Sequence, residues 1–520
     1  MRSSAFNLGG EGLLISRDLF VRTFLLLAVA APTFYAQTAT TTSPGVATKT
    51  PQVTVVDIMP ESLSGETDND TEPNIAVNPA HPLQIAVSAF TREPMLRADR
   101  APIFVSTDGG NKWSLRSIVP SPEITCDVTL RFGSASDVLY VAALRNDMPT
   151  WGEQELIICK SPNYADARGM DLISQGRKKI DQPYIAATTV AYEDHVFVGN
   201  SDFNYSNNPA NPNAQAVIEE SLNAAHTSPT PLPIDYRPMT GPGDWSEVRP
   251  AIAADGKVVY AGFNRVTSLS IEQCPWGSDI GTMTSDVVVV RDDNGGASTK
   301  PFSSLVDPKG TPGIVVAGRK LAGTECLGRD RLGDDLALAV HPQNPNKVYL
   351  VWGDLVNGAV SLHVKYSTDS GKTWLDGKRN IPNAKNPGLA VNSDGTVGFL
   401  YQQMVNKPDG HMWWMTQFEQ TTDDFKNTSQ PLTLAQFPIE PPLYQSCCDK
   451  IFLGDYLHLM AVDKDFYGIF SSNNNPDRSH FPSRVKFQRC ESGDHKKLLD
   501  LRGKEVSPSI DPFFFKVAEQ

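Results

Sequence analysis

Nine polar residues stand just ahead of, or at the start of, short apolar segments: Glu72, Asp127, Asp181, Glu247, Arg249, Asp334, Asp335, Asn386 and Asp455. Tyr456 follows the last of them. Gathered by a fold, such side chains do one of three things. Their oxygens hold a hard cation such as calcium. Crowded carboxylates repel one another, which raises some pKa values and makes acids and bases. Or they cap strand ends and bond to neighbouring elements. Arginine adds a planar fork that grips a carboxylate with two hydrogen bonds. Arg249, Arg265, Arg329 and Arg331 are the candidates, and "GRDRLGDD", Gly328–Asp335, suits an exposed binding loop.

These residues meet only if the segments behind them share a hub. "EPNIAVNPAHPLQIAVSAF" from Glu72 and "DLALAVHPQNPNKVYLVWGDL" from Asp335 share one pattern: apolar-Ala-Val-x-Pro-x-x-Pro, then a second apolar run. That is a strand, a tight turn and a returning strand. Weaker copies open at Asp127, Asp181, Val248, Asn386 and Gly454. Seven such openers predict an all-β chain of four-stranded blades set radially, a β-propeller, with six blades as the alternative count. The intervals 210–244 and 306–331 read as loop insertions. "IDPFFFKVAEQ" (Ile510–Gln520) or "PQVTVVDI" (Pro51–Ile58) is expected to close the ring.

A second repeat is the nonapeptide "VSTDGGNKW" at Val105–Trp113 and "YSTDSGKTW" at Tyr366–Trp374. The run "SLHVKY" before Ser367 alternates like a half-buried strand. Ser367 and Asp369 can bond the N–H groups of a turn, Gly371 permits its positive φ, and Trp374 opens the next strand. Ser-x-Asp-x-Gly-x-Thr-Trp resembles the Asp-box of the bacterial neuraminidase (sialidase) repeat families. Ser367, Asp369, Gly371, Thr373 and Trp374 match it fully. Ser106, Asp108, Gly110 and Trp113 match with Lys112 in the Thr place, and "RDDNGG" at Arg291–Gly296 looks like a decayed copy.

The resemblance implies a propeller whose boxes lie on the rim, so Asp108 and Asp369 are expected to be structural. It further implies an exo-sialidase-like glycoside hydrolase with three arginines on the sugar carboxylate, a Tyr nucleophile assisted by Glu, and an Asp acid/base. Tyr456 in "GDYLHL" resembles the late Tyr; Asp181, Arg249, Arg265 and Arg329 complete the candidate set. The chain departs from the family where the first arginine belongs: "TEPNIAV" carries Glu72 there. A second reading therefore stays open, a non-catalytic propeller that binds glycan or protein at the channel mouth. Trp151, Trp245 and Trp276, in Pro/Gly-rich loops, are candidate platforms for sugar faces.

The net charge of −13 and pI of 5.2 argue against a nucleic-acid partner. An extracellular glycan or glycoprotein is the expected partner; no cofactor is expected, with calcium held by the converging carboxylates as the alternative. Arg17 and Arg22 precede an apolar run ending at Ala36, as in an export signal. The expected layout is signal peptide 1–36, flexible segment 37–60 and propeller 61–520, with no later span able to cross a membrane, hence a secreted or periplasmic protein. Export permits disulfides, with Cys126–Cys159 and Cys274–Cys326 as candidate local bridges, although the sequence alone does not fix the pairing. Cys447 or Cys448 is placed to reach Cys490.

Overall fold

The computed structural model describes residues 52–518, apart from 91–99, 121–123, 147–153, 166–168, 204–214, 224–225, 238–245, 274–278, 323–335, 358, 409, 428–429 and 440–452. Seven sheets have four antiparallel strands each. Their inner strands are Thr71–Val77, Ile124–Phe132, Ile180–Val190, Arg249–Ile252, Leu336–Val340, Ala384–Val391 and His458–Val462. Every inner strand touches the next, and the seventh touches the first. The chain is a β-propeller, and each inner strand coincides with one of the seven openers.

Alternation explains how the blades pack. Successive side chains of a strand point to opposite faces, so both faces of a sheet buried between neighbours are apolar. One buried cluster fills each interface. Ala76, Ile103 and Val105 of the first blade meet Leu130, Val141 and Ile157 of the second. Phe418 and Leu400 of the sixth meet Phe466, Phe470 and Phe515 of the seventh.

Both ends of the chain close the ring. In the seventh sheet Ile510–Ala518 is the third strand and Gln52–Asp57 the outer one, paired Val56 to Phe514. The segment expected to be flexible runs from 37 to 60, but residues 52–57 are a strand of the propeller; residues 37–51 lie outside the described residues. Between the second and third strands of this sheet the chain makes an excursion that carries a small three-stranded sheet, Cys490–Glu491, Leu498–Leu499 and Glu505–Val506.

The nonapeptides form the hairpins between the third and fourth strands of the first and fifth blades. Ser367 Oγ donates to Asp369 Oδ1 at 2.8 Å, and Gly371 N–H donates to Ser367 Oγ at 2.9 Å. Thr373 donates to Asp369 from both N–H (2.9 Å) and Oγ1 (2.6 Å), and Trp374 Nε1 donates to the Gly371 carbonyl at 3.0 Å. The first-blade copy repeats the Ser–Asp, Gly–Ser and Trp–Gly bonds, with Lys112 N–H donating in place of Thr373 N–H.

Two further hairpins use the same bonds with other residues. Asp292 replaces the hydroxyl, accepting from Asn294 N–H at 2.8 Å and Gly296 N–H at 2.9 Å. In the sixth blade Thr421 donates to Asp423, and Phe425 takes the glycine place at φ 60°.

Burial pushes the Asp369 carboxyl up, but hydrogen bonds from Thr373 and Ser367 outweigh it and hold the pKa below the usual value. Such a group adds stability above its unfolded pKa, and that stability is lost as pH falls through the lower folded value. Asp369→Ala is expected to cost about 1–2 kcal/mol in urea unfolding at pH 7, from the lost hydrogen bonds. The difference should shrink below about pH 4.

Buried carboxyls elsewhere act with the opposite sign. Burial, then Asp292, pushes Glu220 up to about 8. Burial pushes Glu219 up to about 7 against the pull of Arg177. Between their unfolded and folded pKa values the folded chain holds the extra protons, so rising pH removes stability. Thermal melts should show the wild type losing stability from pH 5 to pH 8, and Glu220→Gln flattening that slope.

The expected Cys126–Cys159 bridge does not form; Cys126, Cys159 and Cys490 are not in disulfides. Cys126 sits on the inner strand and Cys159 on the third strand of the same blade, with Leu139–Asn146 between them. Two strand spacings are about 9.6 Å, beyond the reach of a disulfide. Cys274, Cys326, Cys447 and Cys448 lie outside the described residues.

Candidate functional site

The inner strands do not run straight into the channel mouth. Pairing with the second strand shifts register between Thr71 and Asn74, Thr125 and Val128, Asp181 and Tyr184, and Lys385 and Gly388. At these bulges Glu72, Gln182 and Asn386 have φ of 54°, 52° and 52°, each followed by proline; Glu247 has φ 47°. A left-handed non-glycine residue costs about 1–3 kcal/mol, which the surrounding sheets must hold in place. A bulge also re-aims side chains at a rim. The same distortion recurs around the ring and places polar groups at one end of it.

Gly454 brings the seventh blade to this end. Its φ is 86°, and an added Cβ would lie 2.6 Å from the Glu72 nitrogen. Its carbonyl accepts from Asn386 Nδ2 at 3.0 Å and from Lys385 Nζ at 3.3 Å. Tyr456, two residues on, donates its hydroxyl to Asp127 Oδ1 at 3.4 Å. Burial raises the phenol pKa well above its ordinary value; Asp127, Glu72 and Asp455 push further, and Arg249 opposes. Burial and the same Asp127 and Glu72, joined by Asp181, push up the Cys126 thiol. Glu72, Asp127, Asp181, Arg249, Asp455 and Tyr456, from the inner ends of five blades, thus share one electrostatic neighbourhood.

A second layer lies deeper in the channel. Arg249 sits over the Tyr184 ring at 4.6 Å and Arg131 at 5.6 Å. Arg131 Nη1 donates to Asn74 Oδ1 at 3.2 Å and to the carbonyls of Ile75 (3.0 Å) and Leu130 (2.8 Å). Its other nitrogen contacts His458 Nε2. Burial, then Arg131, holds His458 well below its ordinary pKa. The network assigns a neutral imidazole that accepts from Arg131 at Nε2 and donates from Nδ1 to the Ile75 carbonyl at 3.0 Å. Tyr184, Arg249, Leu338, Leu389, Leu457 and His458 line a cavity at this second layer.

Arg265 is not among the groups acting on Tyr456. Its Nε donates to Asp235 Oδ2 at 3.0 Å, and both side chains are buried. Glu247 accepts from Asn264 Nδ2 at 3.1 Å. Arg329, Arg331, Asp334, Asp335, Trp151, Trp245 and Trp276 lie outside the described residues. Asp108 and Asp369 stay in their hairpins.

The sequence reading did not single out Arg131, His458 or Tyr184. Their signal is a charged or polar ring inside an otherwise apolar inner strand, as in "TLRF" and "YLHL".

No known family and no curated protein matches the sequence. Among solved structures the chain is similar to an α-L-arabinofuranosidase from Fusarium graminearum in complex with an iminosugar inhibitor, with 11% identity, a TM-score of 0.41, and coverage of 72% of this chain and 99% of that one. It is similar to the phage phi92 endosialidase at 11% identity and TM-score 0.40, over 90% of this chain and 70% of that one. A Penicillium chrysogenum α-L-arabinanase complexed with arabinobiose gives 12% identity and TM-score 0.39, over 71% and 98%.

Proposed function

We propose that the chain is a glycoside hydrolase of neutral glycans, working at the channel mouth, with Asp127 as its central carboxylate. The carrying observation is the charge around Tyr456 among the described residues: Asp127, Glu72 and Asp455 raise its pKa, and Arg249 opposes them. An anionic sugar would meet repulsion there. A neutral sugar needs what such a site offers, a carboxylate to attack or direct water and a carboxyl to protonate the leaving oxygen. Tyr456 donates to Asp127 and fixes its orientation; Glu72 and Asp181 are the candidate proton donors. Glycosidic C–O cleavage then leaves the aglycone as an alcohol, carrying the donor's proton, and water completes the sugar.

The 3.4 Å Tyr456–Asp127 contact also favours a second reading, in which Tyr456 is the nucleophile and Asp127 takes its proton. That is the sialidase-type mechanism, and it suits an anionic sugar. In both readings the four acid-pinned hairpins are Asp-box repeats, two of them altered, and residues 1–36 are an export signal that delivers the protein to extracellular glycans. Among the described residues no helix is long and apolar enough to cross a membrane.

The test is a panel of chromogenic neutral glycosides and a fluorogenic sialoside, with wild type, Asp127→Asn and Tyr456→Phe. Turnover of a neutral glycoside that Asp127→Asn abolishes is expected. Sialoside turnover abolished by Tyr456→Phe would select the second reading. Glycan binding with no turnover of any substrate would make the chain a binding module.

A further inference from the structure

The ring seam holds a second acidic cluster, formed by other residues than those around Tyr456. One carboxylate oxygen from each of Glu66, Asp70 and Asp511 lies within 4.8 Å of the others, and the three residues are 4%, 0% and 0% exposed. Asp57, also fully buried, faces Asp511 from the N-terminal strand. Among the described residues the arginine packed against this group is Arg489, whose Nη1 donates to Asp511 Oδ2 at 2.8 Å and whose Nη2 donates to the Ser64 carbonyl at 3.0 Å. Asp68, half-buried, adds a further carboxyl beside Glu66.

Two buried oxygens aimed into the cluster have no hydrogen-bond donor, Asp57 Oδ2 and Glu66 Oε2. Arg489 Nη1 stands 3.8 Å from the latter, beyond hydrogen-bond length. A buried carboxylate oxygen without a donor is costly, and four carboxylates around one guanidinium multiply that cost. We propose that Glu66, Asp70 and Asp511, with Asp57 beside Asp511, bind one calcium ion at the ring seam.

The spacing suits that ion. Oxygens no more than 4.8 Å apart can share one cation held at about 2.4 Å, and calcium accepts such carboxylate donors in flexible geometry, whereas magnesium demands a strict octahedron. The ligands join parts of the chain that only ring closure brings together. Asp57 ends the N-terminal strand, Glu66 and Asp70 lead into the first inner strand, and Asp511 lies on the C-terminal strand. Calcium bound there would stabilise the closed ring over the open chain. The proposal stands apart from the reaction at the channel mouth.

The test uses the full chain with radiolabelled calcium in equilibrium dialysis, and thermal melts in calcium against EGTA. About one calcium per chain is expected, with a melting temperature roughly 3 °C higher at a hundred-fold excess over Kd. Glu66→Gln should lose both effects and Glu72→Gln, at the channel mouth, should keep both. If Glu66→Gln fails to fold, Asp57→Asn serves in its place. Wild type that binds no calcium and melts alike in both buffers overturns the proposal. So does calcium binding that Glu72→Gln removes and Glu66→Gln retains.

Discussion

Asp127→Asn is expected to cut turnover of a neutral glycoside by about 10³-fold or more, while Tyr456→Phe costs about ten-fold. A positioned carboxylate that transfers a proton or attacks contributes roughly 10²–10⁴ in rate, and its amide can do neither. Asn keeps nearly the same volume, so the loss should fall on kcat with little change in fold. Tyr456→Phe keeps the buried ring and removes only a 3.4 Å hydrogen bond, so in this mechanism it loosens Asp127 rather than removing the reacting group. The two variants therefore separate the readings. If Tyr456 is the nucleophile, its substitution is at least as damaging as that of Asp127. Steady-state kinetics on the purified variants, with melting curves as the control for folding, decide between them.

The second large effect belongs to ring closure. Phe514→Ala should destabilise the chain by about 3–5 kcal/mol, the usual cost of emptying a buried phenylalanine site. Phe514 is fully buried on the closing strand, opposite Val56 of the N-terminal strand and Ile469 of the second strand. Its ring lies 5.3 Å from Trp113, and a Cβ added at Gly110 would come within 2.2 Å of it. The acidic hairpin of the first blade is thus seated on the seam, and one truncation loosens the hairpin, the closing strand and the N-terminal strand together. Guanidinium unfolding measures the loss, and a change under 1 kcal/mol would show that the seam does not depend on this ring. Tyr192→Ala, at a fully exposed residue, is the control expected to have no effect.

The blade openers were legible because each couples a short alternating strand to a turn of Pro, Asp, Asn or Gly, and that pairing survives when the residues themselves drift. Two hairpins were legible because the original chemistry persists, the one at Arg291–Gly296 only as a decayed copy, and the one at Thr421 not at all. Asp292 supplies by carboxylate what Ser367 supplies by hydroxyl, and Phe425 holds a backbone angle that sequence reasoning reserves for glycine. Physical equivalence there does not show as residue identity.

The candidate site was legible in part for the same reason. Residues just before inner strands converge whatever their type, so Glu72, Asp127, Asp181, Arg249 and Tyr456 were foreseeable as a group. Arg265 was not separable from them, because its partner Asp235 follows the last strand of the preceding blade. The Arg131–His458 contact joins blades two and seven, and no local pattern marks a pair so distant in the chain. The Cys126–Cys159 pairing failed because closeness in a strand-rich sequence counts strands along the chain, not the spacings across a sheet.

The most direct measurement of whether the ring gathers its polar residues into one working site is a double-mutant cycle on turnover with Asp127→Asn and Tyr456→Phe. Residues that act as a unit give non-additive losses. The double variant should be no slower than Asp127→Asn alone. Losses that multiply, so that each substitution costs the same with or without the other, would contradict a shared site for blades two and seven.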